Sequence, residues 1–222
     1  MGRVIVSGVC PLMTVPTTGT PLSTYTEGSI IKINENGIPA EFYVAKHDYE
    51  AGLNGTGRTL VVRKDCFDKR AWNSNKNTYS SSAIDTWLNG GYKNLLSTKL
   101  AQSVGTTSFQ STVGDGSTTV QTLSRSVFLL SASELGLTAA WASVEGTTLG
   151  IANTLKIARY NNTAVNQWLR TPYNNNATYA GYASSSGTIN NAGCSDATIA
   201  YSRPCFTLPS TIKIDENGRV IE

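Results

Sequence analysis

The residues able to do chemistry are few and scattered. The single histidine, His47, sits beside Lys46 and Asp48. A catalytic histidine needs a nucleophile to serve and a third group to orient it. No nucleophile motif surrounds any serine or cysteine, so His47 reads as an isolated surface or core histidine. The cysteines, Cys10, Cys66, Cys194 and Cys205, are widely and irregularly spaced, with no C-x-x-C. They read as free buried thiols. Between Leu149 and Ile214 the only carboxylate is Asp196, which leaves no partner for a two-carboxylate hydrolase there. No spacing of His, Cys and acids suits a metal, and Asp215-Glu216-Asn217-Gly218 reads as a turn, not a calcium loop. No metal and no cofactor are expected.

Tyrosine is what the C-terminal half does offer. Tyr160, Tyr173, Tyr179, Tyr182 and Tyr201 are interleaved with Asn, Ser, Thr and Ala. That palette resembles an antibody paratope, where tyrosine gives contact area at low entropic cost and small polar residues adapt their hydrogen bonds. It also suits an ordinary polar β-surface with turns.

The elements that must carry these residues follow from pattern. "SIIKINENGIPAEFYVAKHDY" predicts a hairpin turning at Asn36-Gly37, and "RTLVVRKDCF" predicts a further strand. Gly52, Gly55 and Gly57 lie before that strand rather than opening a helix, so turn chemistry explains them better than phosphate binding. Ile84, Trp87 and Leu88 predict a helix capped by Ser81 or Ser82 and ended by Asn89-Gly90-Gly91. Leu96, Leu100 and Val104 predict a second helix. "TTVQTLSR" and "VNQWLRTP" predict strands, the latter stopped by Pro172. "TIKIDENGRVIE" predicts a closing hairpin. Strands, then helices, then strands favour an α+β domain with antiparallel sheets.

The chain of 222 residues suits one domain plus a short arm. Residues 1–28, with Pro11, Pro16 and Pro21, read as an extended N-terminal arm for attachment or oligomerisation, or as a floppy terminus; residues 29–222 read as the domain. Gly8 and Pro11 break the apolar start, so no signal peptide is expected, and Val6 stands where myristoylation wants Ser or Thr. Charged residues make up only 15%, net charge is +3, and no basic cluster appears. Nucleic acid and membrane are therefore not the expected partners.

"NTYSSSAIDTWLNGGYKNLL", "FLLSASELG", "WLRTP" and "SRPCFTLP", in that order, resemble a family of gut bacteria and their phages. Its fold is C-type-lectin-like, of the formylglycine-generating-enzyme subtype. The resemblance covers about residues 27–222. It rests on Trp168, Arg170, Thr171 and Pro172, a variable stretch, then Arg203, Pro204 and Phe206; the chain departs at Cys205, where that family usually has Ala. The resemblance implies a C-type-lectin-like fold with antiparallel sheets and two helices. It also implies a variable protein of a diversity-generating retroelement. Such elements mutate template adenines, turning Asn codons into others ending in C or T, which cannot encode Lys, Glu, Gln, Trp or Met. None of those five types occurs from Leu169 to Ile212.

The variable binding region is then about residues 170–202. Its ligand-binding positions are Tyr173, Asn174, Asn175, Asn176, Thr178, Tyr179, Tyr182, Ser184, Thr188, Asn190, Asn191, Ala192, Ser195, Asp196 and Thr198. Ala180, Ala183, Ile189 and Cys194 read as inward, with Gly187 as fixed scaffold. By strand alternation, one face varies while the other keeps the core. The implied protein is a non-enzymatic display module on a virion, made in the bacterial cytoplasm, or on a bacterial surface. Its partner would be a bacterial surface protein or glycan, and the arm would mediate virion attachment or a homo-oligomer such as a trimer. A structural virion or surface protein without a ligand is the alternative. An enzyme of the formylglycine-generating type, with Cys194 and Cys205 as its only candidate cysteines, is a more distant one.

Overall fold

The computed structural model describes residues 18–222; the first part of the predicted arm, with Cys10, lies outside the described residues. In chain order the elements are β1 (Thr20–Pro21), β2 (Ile30–Glu35), β3 (Ile38–His47), α1 (Ala51–Asn54), β4 (Arg58–Arg63), α2 (Ala83–Trp87) and α3 (Thr98–Ser103). There follow β5 (Thr107–Thr112), β6 (Val120–Arg125), β7 (Val127–Phe128), α4 (Ala152–Leu155), β8 (Ala158–Tyr160), β9 (Thr163–Val165), β10 (Gln167–Pro172), β11 (Tyr179–Ala183), β12 (Ile189–Gly193), β13 (Cys205–Pro209) and β14 (Lys213–Ile214). The architecture is α+β, with short helices and small antiparallel sheets.

The main sheet has the order β2-β3-β4-β13-β7. Asn36 and Gly37 close its first hairpin with φ of 51° and 81°, the left-handed pair that a tight twisted hairpin requires. Late in sequence, β13 slots between β4 and β7, and Cys205, Phe206, Thr207 and Leu208 are all buried there. Phe206 packs on Phe42 at 5.5 Å and Phe109 on Phe128 at 4.5 Å. A second sheet, β10-β11-β12, carries the Tyr/Asn-rich stretch. Residues 18–28 lie on their own domain: β1 pairs with β14 and Leu22 is fully buried.

The sequence pattern differs from the structure at the first helix. Ser82 caps α2 by accepting from Asp85 N at 3.1 Å, as its position predicts. Asn89-Gly90-Gly91 does not end the helix. The chain continues through a wider π turn, Leu88–Tyr92, and a 3-10 turn, Lys93–Leu95. Asn89 is held there because its amide donates to Asp85 O and Val127 O and accepts from Ser126 N and Val127 N. Gly91 is needed because a Cβ would lie 2.7 Å from the Trp87 indole. The closing hairpin is also reduced. Lys213–Ile214 pairs mainly with β1, and the Asp215 side chain accepts from Asn217 N and Arg219 N to shape the turn.

Arg170 and Glu134 form a fully buried ion pair, with Arg170 Nη1 2.7 Å from Glu134 Oε2 and Nη2 3.0 Å from Oε1. Arg170 also donates to the carbonyls of Gln110, Leu129 and Glu145 and lies 4.6 Å from the Phe109 ring centre. The Tyr49 hydroxyl donates to Glu134 as well. Burial opposes the guanidinium charge, but the Glu134 carboxylate outweighs it and holds Arg170 protonated. Removing one partner strands the other's charge in the core. Arg170→Met is expected to cost about 3–5 kcal/mol in urea denaturation. Adding Glu134→Gln should recover part of that and not all, because the buried carbonyls of Gln110 and Leu129 have still lost a charged donor.

Candidate ligand-binding face

The face is held from below by residues that cannot vary freely. All six residues of β10 are buried. Trp168 donates its indole N–H to Arg70 O at 2.9 Å. Thr171 Oγ1 accepts from Ala132 N and donates to the buried Glu145 carboxylate, whose pKa burial pushes up. Arg203 is buried with no carboxylate partner. It donates to the carbonyls of Arg63, Leu155 and Lys64 and to the Gln167 side-chain oxygen, and burial lowers its pKa.

Above this frame, β11 pairs with β12 in register, Tyr182 opposite Asn190 and Gly181 opposite Asn191. The predicted single free face is not what forms. Trp141 covers one side of the sheet at Gly181, where a Cβ would sit 3.2 Å from the indole. On the other side Trp168 meets Tyr182 edge-on, with ring centres 6.0 Å apart. Both faces thus touch scaffold. The exposed side chains lie instead along the outer strand β12 and in the loops at the sheet ends.

Among the predicted ligand-binding residues, Asn175, Thr178, Tyr179, Thr188, Asn190, Ser195 and Thr198 are exposed. Tyr173, Asn176, Tyr182, Ser184, Asn191, Ala192 and Asp196 are half-buried. Asn174, predicted to point outward, is buried: its backbone N–H donates to Trp141 O and its amide to Ser143 Oγ at 3.1 Å. Asn174 lies in the turn after β10, and the run of polar residues 173–176 read as outward carries no sign of its partners in the Trp141–Ser143 loop. Tyr182 and Ala192 also pack partly on the core. Ala180, Ala183 and Cys194 are buried, as their inward reading expects.

Two turns in the face have the same construction. Asn176 Oδ1 accepts from Thr178 N and Oγ1, both at 2.9 Å; Asp196 Oδ1 accepts from Thr198 N at 2.8 Å and Oγ1 at 2.7 Å. These hydrogen bonds lower the Asp196 pKa. Ser184, Ser186 and Thr188 form a third hydroxyl cluster around the β11–β12 turn.

Sequence reasoning missed Asn77, which holds the whole Tyr173–Tyr179 loop. Its amide donates to the carbonyls of Tyr173, Asn176 and Tyr179 at 3.0, 2.7 and 2.8 Å, and its Oδ1 accepts from Asp115 N. Nothing in "SNKNTYS" distinguishes Asn77 from the asparagine at 75. Glu134 was also missed, because nothing in the sequence links it to Arg170, 36 residues away. His47 bridges the Tyr25 carbonyl through Nε2 and the Thr59 hydroxyl through Nδ1. Burial pushes the Cys194 thiol up to about 12 and the Cys205 thiol well above its usual range.

A family model described as a domain of unknown function, DUF6273, matches residues 56–210. The chain belongs to this family. No curated protein and no solved structure matches it. The DUF6273 match runs from just before β4 to the end of β13. It therefore includes the Arg170 network, Asn77 and the entire β10-β11-β12 sheet, while the β2–β3 hairpin and β14 lie outside. A groove of about 490 Å³ between the Asn36-Gly37 turn, Phe67 and Leu95 is lined by none of the predicted face residues.

The Asn77→Ala variant is expected to lose about 1–3 kcal/mol, because its loss orphans buried carbonyls. Asn190→Ala should stay within about 0.5 kcal/mol of the parent; urea denaturation of both measures the contrast. In a Cys10→Ser background, Ellman's reagent at pH 8 should label the remaining cysteines only as fast as the protein opens, since protonated buried thiols are poor nucleophiles.

Proposed function

We propose that this DUF6273 protein is a ligand-binding display module with a C-type-lectin-like fold. Its binding face comprises the loops around β11 and β12, varied by a diversity-generating retroelement. The observation that carries this reading is the division inside one stretch. Trp168, Arg170, Thr171 and Arg203 are buried and tied to the frame, while Thr178, Tyr179, Thr188, Asn190 and Ser195 between them are exposed and uncharged. The missing Lys, Glu, Gln, Trp and Met from Leu169 to Ile212 support it. About five such residues would fall in that window at the chain's average.

In this reading the protein rides on a phage particle and contacts a bacterial surface protein or glycan, with many copies offsetting weak single-site affinity. Of the predicted arm, the part before residue 18 serves attachment or self-association, since residues 18–28 pack on their own domain. The raised pKa values of Cys194 and Cys205 favour this reading over a thiol-dependent enzyme. A structural particle protein without a ligand remains the competing role.

The gene gives the first test. Its downstream DNA should hold a near-copy of the 3′ end differing at adenines, beside a reverse transcriptase. In binding assays against fixed gut bacterial strains, Thr188, Asn190 and Ser195 substitutions should change which strains are bound while the melting temperature stays within a few degrees. Binding indifferent to all three would refute the face.

A further inference from the structure

An aromatic cluster adjoins the proposed binding loops, and one of its members, Trp141, lies outside them. Trp141 and Tyr173 stack with ring centres 5.0 Å apart and planes within 8° of each other. Tyr179 meets Tyr173 at 6.4 Å and 63°, and is 40% exposed. Trp141 and Tyr173 are half-buried. Trp141 lies close against the sheet at Gly181, where a Cβ would come within 3.2 Å of the indole and 3.1 Å of Thr171 O and would push one of them aside by a few tenths of an ångström. The cluster is thus built into the scaffold.

Its surroundings are polar yet uncharged. Residues 171–195 contain no Asp, Glu, Lys, Arg or His. Lys76 and Asp115, next to the Asn175–Asn176 turn, neutralise each other at 3.4 Å. Asn191 faces the Gly181 side of the sheet, and Asn175 and Thr178 project from the neighbouring turn. Beneath the cluster the Asn174 side chain is 5% exposed, and its Oδ1 accepts no hydrogen bond.

A flat, electron-rich ring surface attracts weakly positive C–H groups. Amides and hydroxyls around it offer both donors and acceptors. A neutral pyranose has that complementary shape: one face of C–H bonds, and a rim of hydroxyls that need uncharged partners. Phosphate, sulfate or an acidic sugar would find no cation in residues 171–195.

We propose that the exposed Tyr179 ring, backed by the stacked Tyr173–Trp141 pair, is the stacking platform for a neutral sugar unit of a surface glycan. The proposal rests on the display reading above and narrows its partner to one class. Trp141 and Tyr173 fix the place of the Tyr179 ring, while Asn175, Thr178 and Asn191 select among sugars.

The test uses the full chain in native gels cast with glycogen, yeast mannan or galactomannan, with dextran sulfate as the charged comparison. At least one neutral polysaccharide should retard the protein and dextran sulfate should not. Tyr179→Ala and Trp141→Ala should each weaken the retardation at least tenfold in polysaccharide concentration. Tyr179→Ala should keep the parent melting temperature, separating stacking from folding, because its side chain is the most exposed of the three. Retardation that neither substitution alters, or none in any neutral polysaccharide, overturns the platform. Bacterial binding separates this failure from that of the display reading. Binding abolished by periodate and by Tyr179→Ala supports the glycan. Binding that survives periodate, is lost on protease treatment and still responds to Asn190 substitution overturns the glycan and leaves the display face standing. Binding unaffected by any face substitution overturns both.

Discussion

The fold turns on one buried charge. Arg170 leaves β10 and satisfies its guanidinium on Glu134 and on carbonyls from β5, from the segment after β7 and from residue 145. An ion pair out of water is costly, and isolated pairs of this kind often add little net stability. What it gives here is position. The guanidinium has five donors in a fixed plane, and its partners come from segments distant in sequence. A slip of β10 by one residue would turn the Arg170 side chain to the opposite face. It would strip Glu134 of its guanidinium and the carbonyls of Gln110, Leu129 and Glu145 of one donor each. Ser131 strengthens the arrangement, donating its backbone N–H to Glu134 and its hydroxyl to Glu145 O.

That fixed strand is why the next two can be tolerant. β11 takes its register from β10, and β12 from β11, so errors at the outer strand do not propagate back into the core. Arg203 works from the other side of the stretch. It bonds only to carbonyls and one amide oxygen, linking β4's end, α4 and Gln167 of β10. It bonds no carboxylate among the described residues, so these dipoles, with the Asp65 charge nearby, carry most of its compensation. The stretch between Arg170 and Arg203 is therefore anchored at both ends by a buried arginine.

Local chemistry was readable in the sequence and long-range chemistry was not. The β2–β3 hairpin announces itself because Asn36-Gly37 interrupts an alternating pattern, and the turn depends on nothing distant. Ser82 is legible as a cap for the same reason. The π turn at Leu88–Tyr92 was not, because Asn89 is held there by β7, a partner some forty residues away. Asn174 was misplaced because its partners, Trp141 and Ser143, lie in a loop with no periodic signal. The bracketing residues Trp168, Arg170 and Arg203 could be singled out as fixed, yet their reasons, Arg70 O, Glu134 and a set of carbonyls, emerge only in three dimensions. Trp141 carried no sequence signal at all, since a tryptophan in "LTAAWASVEG" fits an ordinary buried position equally well.

The turns of the face constrain what variation it can accept. Asn176 and Asp196 each fold their loop by accepting two hydrogen bonds from a threonine two residues on. Asn175 holds φ of 65°, a region that suits Asn, Asp or Gly and penalises branched side chains. Under the proposed adenine mutagenesis an Asn codon can become Asp, Ser, Thr or Gly by changes at its first two bases. Asp and Ser keep the acceptor that the 176 and 196 turns require. Asp and Gly keep the left-handed backbone at 175. The common products of that mutagenesis are thus the substitutions these turns tolerate best. Thr188, Asn190 and Ser195 are exposed and carry weaker constraints, because Thr188 meets only the Ser184 and Ser186 hydroxyls and Asn190 the next backbone N–H rather than a buried partner. Diversity would concentrate there, and the loops would keep their shape while the contact surface changes.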